Sequence, residues 1–202
     1  MVTVLKLGGS VVTDKTTPET VDESALDRAA SAVANSSADL VVVHGGGSFG
    51  HHHADAHGGS VTDGSHDDAA VADIHGAMCR LNEAVVSALR EAGVAAVPVN
   101  PFSLAHRDED GALTLPTGGV RTLREEGFTP VLHGDVVPHA GQGVTILSGD
   151  ELVVALVAGL DADRVGLCST VPGVLDADGA VIPRVESMAE IADAVGESDA
   201  TD

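Results

Sequence analysis

Only two lysines occur in the chain, and both lie beside one glycine turn: Lys6 just before "LGGS" and Lys15 in the loop just after it. A second turn, "HGGGSFGHHH" at 44–53, follows the apolar run "DLVVV" and ends in histidines. Glycines past the end of a strand let the main chain close on an anion, because backbone N–H groups bind phosphate without charged side chains. Two such nests side by side suit the passage of a phosphoryl group between two phosphorylated molecules. That chemistry needs positioning and charge neutralisation more than covalent intermediates. Lys6 and Lys15 are suited to neutralise the charge. His51 can donate a hydrogen bond to a terminal oxygen and, when protonated, complete the neutralisation.

Two other readings of the same residues are weaker. Gly45, Gly47 and Gly50 satisfy G-x-G-x-x-G after a strand, but that fingerprint demands a helix at once and a second strand ending in an acid. Asp67 and Asp68 have the spacing, yet 51–66 is a polar stretch with no apolar strand in it. A metal site is the second. Histidines stand at 44, 51, 52, 53, 57, 66 and 75, but three in a row cannot converge on one ion from one loop, and no nearby cysteine completes a set. No metal ligand is assigned, and His52, His53 and His57 are expected to be solvent-facing loop residues.

The elements that must hold these turns alternate between strand and helix patterns. "TVLKL" (3–7) and the all-apolar "LVVV" (40–43) read as strands, the second buried on both faces. Between them, "ESALDRAASAV" places Leu26, Ala29, Ala30 and Val33 on one face of a helix capped by Asp22. A long helix carries Val71, Ile74, Met78, Leu81, Val85 and Leu89 at steps of three and four. Strands follow at 95–99, 129–135 and 164–169, with hairpins at 136–148 and 174–183. Helices are expected at 150–160, capped by Asp150, and at 185–195. The pattern implies an α/β, three-layer αβα sandwich around a mostly parallel central sheet, with residues 1–202 forming one domain.

Composition excludes several partners. With 31 acidic residues against 10 basic, the net charge is −21, a field that repels nucleic acid and anionic membranes. The acids are scattered rather than gathered, as on a surface adapted to high salt. No apolar stretch approaches the ~20 residues a membrane span needs, and the first residues do not read as a signal peptide. Cys79 and Cys168 form no CxxC pair and read as buried free thiols in a reducing cytoplasm.

"LKLGGSVVTDK", "HGGGSFGH", "LHGDVV", "ILSGDE" and "VPGVL" occur in the order seen in the amino acid kinase superfamily. The "GGGSFGH" loop with a Lys-x8-Lys pair resembles archaeal-type isopentenyl phosphate kinases. The resemblance implies transfer of the ATP γ-phosphate to isopentenyl phosphate, giving the diphosphate for isoprenoid synthesis. It implies that Lys6 contacts the transferred phosphate and that Lys15 stabilises the transition state. Gly8, Gly9, Ser10, Gly46 and Thr170 would lie at the ATP phosphates. Gly45, Gly50, His51, Gly149 and Asp150 would hold the acceptor phosphate, with an apolar slot for its tail from Ile74, Met78 or Leu81. Mg²⁺ would arrive with ATP, and the family enzymes are commonly homodimers.

Two departures accompany this resemblance. Relatives carry "TDV" or "SDV" where this chain has "STVPGV", and they continue past the equivalent of "SDATD" with a "TGGM" loop and a third lysine. The chain therefore reads as a domain truncated at its C-terminus. The alternatives are a kinase of the same superfamily acting on another small phosphate or phosphonate, and a non-catalytic nucleotide-binding or storage relative.

Overall fold

A computed structural model describes residues 1–57, 64–176 and 178–187. In chain order the elements are β1 (Val2–Leu7), α1 (Gly9–Val12), α2 (Glu23–Ala34), β2 (Asp39–His44), α3 (Gly47–His57), α4 (Asp68–Glu91) and β3 (Ala96–Pro98). A 3-10 turn at Pro101–Ser103 leads to β4 (His106–Arg107), β5 (Leu113–Thr114), α5 (Gly118–Glu125) and β6 (Thr129–His133). The series closes with β7 (Asp135–His139), β8 (Gly143–Leu147), α6 (Gly149–Leu160) and β9 (Arg164–Cys168).

Five strands form a parallel sheet in the order β3-β6-β2-β1-β9. Alternation along β2 sends its side chains to two cores. Leu40 and Val42 pack with Leu26, Met78, Leu81 and Leu89 of α2 and α4. Val41 and Val43 pack with Val120 of α5 and with Leu152, Leu156 and Leu160 of α6. This is the three-layer sandwich expected from the alternating pattern, and β2 is apolar along its length because both its faces are covered.

Several local expectations need correction. The hairpin at 136–148 forms as β7 and β8, but in a second, four-stranded sheet ordered β5-β4-β7-β8. The hairpin expected at 174–183 is a single bridge between Leu175 and Val181. Most of the helix expected at 185–195 lies outside the described residues. Asp150 does not cap α6. Ser148 does, in a reciprocal box with Glu151, whose carboxylate accepts from the Ser148 amide while the Ser148 hydroxyl accepts from the Glu151 amide. Cys168 is exposed on β9 and Cys79 is only partly buried, so neither is a sealed core thiol.

The polar stretch after "HGGG" is not a loop at its start. Helix α3 opens at Gly47 and runs through the histidines to His57. The helix demanded by the dinucleotide fingerprint is thus present, but the next element among the described residues is another helix rather than a strand. Asp67, whose spacing matched that fingerprint, caps α4 by accepting from the Ala69 amide.

Candidate active site

Past the C-terminal ends of β1 and β2 the two glycine turns touch through their backbones. A Cβ built on Gly9 would lie 2.3 Å from the Gly47 nitrogen, and one on Gly45 2.7 Å from the Gly9 nitrogen. No larger residue fits either position without moving main chain. Gly8 donates to the Cys168 carbonyl at 2.9 Å and Gly45 to that of Leu7 at 3.0 Å, so these amides continue the sheet instead of facing a ligand. In the first turns of the helices that follow, Val11 donates to the Gly8 carbonyl, Phe49 and Gly50 to that of Gly46, and Ser48 to the Thr13 hydroxyl.

Lys6 shares the β1 face of Val4, toward α6, and is buried despite its charge. Its Nζ lies 2.8 Å from Asp150 Oδ2 in the first turn of α6, and its stem passes over Gly149. Because Ser148 and Glu151 perform the capping, the Asp150 carboxylate is left to hold the lysine. Arg107 of β4, itself buried, reaches Glu151 at 2.7 Å and so ties the start of α6 to the second sheet.

His51 lies in the second turn of α3, with its Nε2 buried and without a hydrogen-bond partner among the described residues. A buried ring nitrogen left unsatisfied is uncommon enough to need a reason. Gly46 and Gly50 back onto Met78 of α4, whose sulfur would lie 3.5 and 3.0 Å from Cβ atoms built there. Ile74, Met78 and Leu81 are buried in the core.

Lys15 stands exposed on a turn closed by an antiparallel bridge between Thr13 and Val21. This turn walls a groove of about 690 Å³ that is also lined by Ser10, Thr16, Asp22 and Thr170. The Ser10 and Thr170 hydroxyls are 3.4 Å apart. The residues singled out from the sequence therefore form two groups. Ser10, Lys15 and Thr170 line the groove. Lys6, Gly45, Gly149 and Asp150 meet past the sheet end, where Gly46, Gly50 and His51 continue from the second glycine turn.

His53 is not solvent-facing, as the loop reading had it. Its Nε2 lies 2.6 Å from Glu19 Oε1, while His52 is exposed. The side chain of His57 lies outside the described residues.

Under the turns runs a polar seam that local sequence reasoning missed. His44 and His133, each the last residue of its strand, stack at 5.6 Å. Each Nδ1 meets the carbonyl of the following glycine, at 3.1 Å on Gly45 and 2.9 Å on Gly134. Burial lowers both pKa values, His133 to about 3 with the nearby His44 adding to the effect. Each Nε2 lies beside an asparagine side-chain oxygen, Asn82 Oδ1 at 3.2 Å and Asn100 Oδ1 at 3.3 Å, and a neutral ring donates from only one of its two nitrogens. Beside them burial pushes Asp135 up to about 6, against the opposing pull of His75, whose Nδ1 is 2.8 Å away. These partners are 33 to 60 residues apart in sequence, so spacing carried no signal of them.

The amino acid kinase family model matches residues 1–201. The chain is 64% identical to the isopentenyl phosphate kinase of Haloferax volcanii, over 98% of this chain and 81% of that protein. It is 31% identical to the Methanocaldococcus jannaschii protein of that name, over 92% of this chain and 75% of the relative. An isopentenyl phosphate kinase crystal structure superposes with a TM-score of 0.80 at 28% identity, covering 96% of this chain and 84% of the other. A product complex of the T. acidophilum enzyme gives 0.76 at 30% identity, covering 86% and 72%. With its paired glycine turns and parallel sheet, the chain belongs to the amino acid kinase family, in the branch of proteins named isopentenyl phosphate kinase.

Proposed function

We propose that this protein is an ATP-dependent kinase that phosphorylates isopentenyl phosphate to the diphosphate. The observation that carries the reading is the buried Nε2 of His51 beside a glycine turn, which has no partner among the described residues. An acceptor phosphate oxygen would satisfy it. In the reaction, an oxygen of the acceptor phosphate bonds to the γ-phosphorus as the bond from that phosphorus to the β–γ bridging oxygen breaks, and ADP leaves. Lys6, held by Asp150, and Lys15 balance the charge on the transferring group. Gly9, Ser10, Gly46 and Thr170 line the ATP phosphates, with Gly8 shaping that turn, and Gly50, His51, Gly149 and Asp150 line the acceptor, with Gly45 letting the two turns touch.

Mg²⁺, when bound with the nucleotide, would shield the phosphate oxygens. Among the described residues no three His, Cys, Asp or Glu side chains converge as a cage. The protein is further proposed to act as a single-domain protomer of a homodimer in a salt-rich cytoplasm. The net charge of −21 supports the salt. Among the described residues no helix is long and apolar enough to cross a membrane.

The test is an ADP-release assay in concentrated salt on the protein expressed from its natural start to its natural stop. Isopentenyl phosphate, dimethylallyl phosphate, UMP and glutamate are offered in parallel. Turnover of the isoprenoid phosphates alone is expected. Lys15→Ala should lower kcat by roughly 100-fold or more while ATP affinity stays within about threefold. His51→Asn should chiefly raise KM for the acceptor. Preference for UMP or glutamate, or silence with all four, overturns the assignment.

A further inference from the structure

The turn that carries Lys15 is pinned from outside by one side chain. Glu19 has φ of 46°, a left-handed conformation that residues other than glycine rarely adopt. In that conformation its carboxylate reaches two helices. Oε1 accepts from Nε2–H of His53 on α3 at 2.6 Å. Oε2 accepts from Arg80 on α4, from Nε at 3.1 Å and Nη2 at 2.7 Å. His53 and then Arg80 hold the carboxyl below the usual carboxylate range. Main chain and hydroxyl contacts extend the attachment: the Glu19 amide donates to the Ser48 carbonyl at 3.2 Å, and the Thr20 amide to Ser48 Oγ at 3.3 Å. Glu19 thus joins its own turn, which carries Lys15, to Ser48 and His53 of the helix that bears His51 and to Arg80 of the helix that backs the second glycine turn.

We infer that Glu19 is a positioning residue, a latch that fixes the Lys15 turn against α3 and α4 and so sets Lys15 relative to His51. The catalytic part of this inference rests on the function proposed above; the latch itself does not. Lys15 sits on a turn that projects from the sheet, and a phosphoryl-transfer cation held loosely would lose much of its effect, since small misplacements cost large factors in rate. His53, two residues beyond His51 on the same helix, lets one carboxylate register both sides of the reaction. The left-handed backbone at Glu19 persists because these contacts over-determine it.

Two readouts test the latch separately. A lysine-specific endoproteinase has two sites in the chain, Lys6, which is buried, and Lys15, which is exposed. Glu19→Ala and Glu19→Gly should speed native-state cleavage at Lys15 by about tenfold, with unchanged Tm. Glycine relaxes the backbone strain while removing the carboxylate, so it separates the two contributions. In the kinase assay both variants should lower kcat by roughly 10- to 100-fold, with KM for ATP and acceptor within about threefold. Glu19→Gln should recover part of the loss, and Glu19→Ala with Arg80→Ala should be no worse than Glu19→Ala alone. Glu19→Gly as protease-resistant and as active as the wild type overturns the latch, as does full additivity of the Glu19 and Arg80 substitutions. If the wild type turns over none of the acceptors while cleavage at Lys15 still depends on Glu19, the proposed function fails and the latch stands.

Discussion

β1 has a parallel neighbour on each side, in matching register: Leu7 pairs with His44 of β2 and with Cys168 of β9. The two neighbours differ sharply. β2 is buried from Leu40 through His44, whereas β9 leaves Val165 at 47% and Leu167 at 66% exposed. Both strands are rich in valine and leucine, so hydrophobicity does not separate them. What differs is cover. Helices pack on both faces of β2, and the polar groups at its end are pinned by Asn82 and Gly45. β9 contributes little more to the site than the Cys168 carbonyl that receives the Gly8 amide. Among the described residues, one flank of β1 is therefore covered on both faces and the other is not.

Matched glycine substitutions break this comparison most directly. Gly45→Ala drives a Cβ against backbone, 2.7 Å from the Gly9 nitrogen, while Gly166→Ala on β9 meets only the end of the Leu5 side chain at 2.9 Å. The first should cost about 2–3 kcal/mol of stability and roughly 100-fold in turnover, the second under 1 kcal/mol, measured by denaturant melts and ADP release. Equal effects would show that the difference in cover does not matter to the site.

Core truncation should show the same asymmetry with smaller numbers. Val42→Ala removes fully buried methyls and should cost roughly 2 kcal/mol. Leu167→Ala should stay within about 0.5 kcal/mol.

The smallest effect concerns pH. His133 binds protons more tightly in the unfolded chain than in the fold, so its contribution is intact above about pH 6.5 and declines as pH falls toward its folded value of about 3. Asp135 has the opposite sign: its folded pKa of about 6 lies above the unfolded one, so acidification through that range favours the fold. Between pH 7 and 5 the histidine should lose about 2 kcal/mol and the aspartate return about 1. Asp135→Asn should therefore steepen the acid loss, and His133→Gln should flatten it. A pH dependence unaffected by either places the titrating groups away from the closed flank.

Strands and long helices were legible because their cover imposes a period. β1, β2, α2 and α4 each declare one face or two. Helix α3 was hidden by Gly47 and Gly50, poor helix formers, of which Gly47 is required where the turns touch and Gly50 backs onto Met78. α5, beginning with two glycines, and the two-residue strands β4 and β5 are defined by what they pack against. The cap of α6 was visible as S-x-x-E at Ser148 and Glu151, and was misread because Asp150 is also a capping residue type. Lys6, Lys15 and His51 stood out by rarity and by adjacency to glycine. Glu19 did not, since its partners lie 34 and 61 residues away and are joined only by the fold.

The backbone-to-backbone seal between the two glycine turns has an evolutionary consequence. A site walled by side chains can be reshaped one substitution at a time, but Gly9 and Gly45 leave no adjustable atoms between the turns. Selection for a different acceptor would have to act from the periphery, on α4 or on the turn that Glu19 secures. The interior would pass unchanged from one specificity to the next, like a die whose stamp never alters while its frame is refitted.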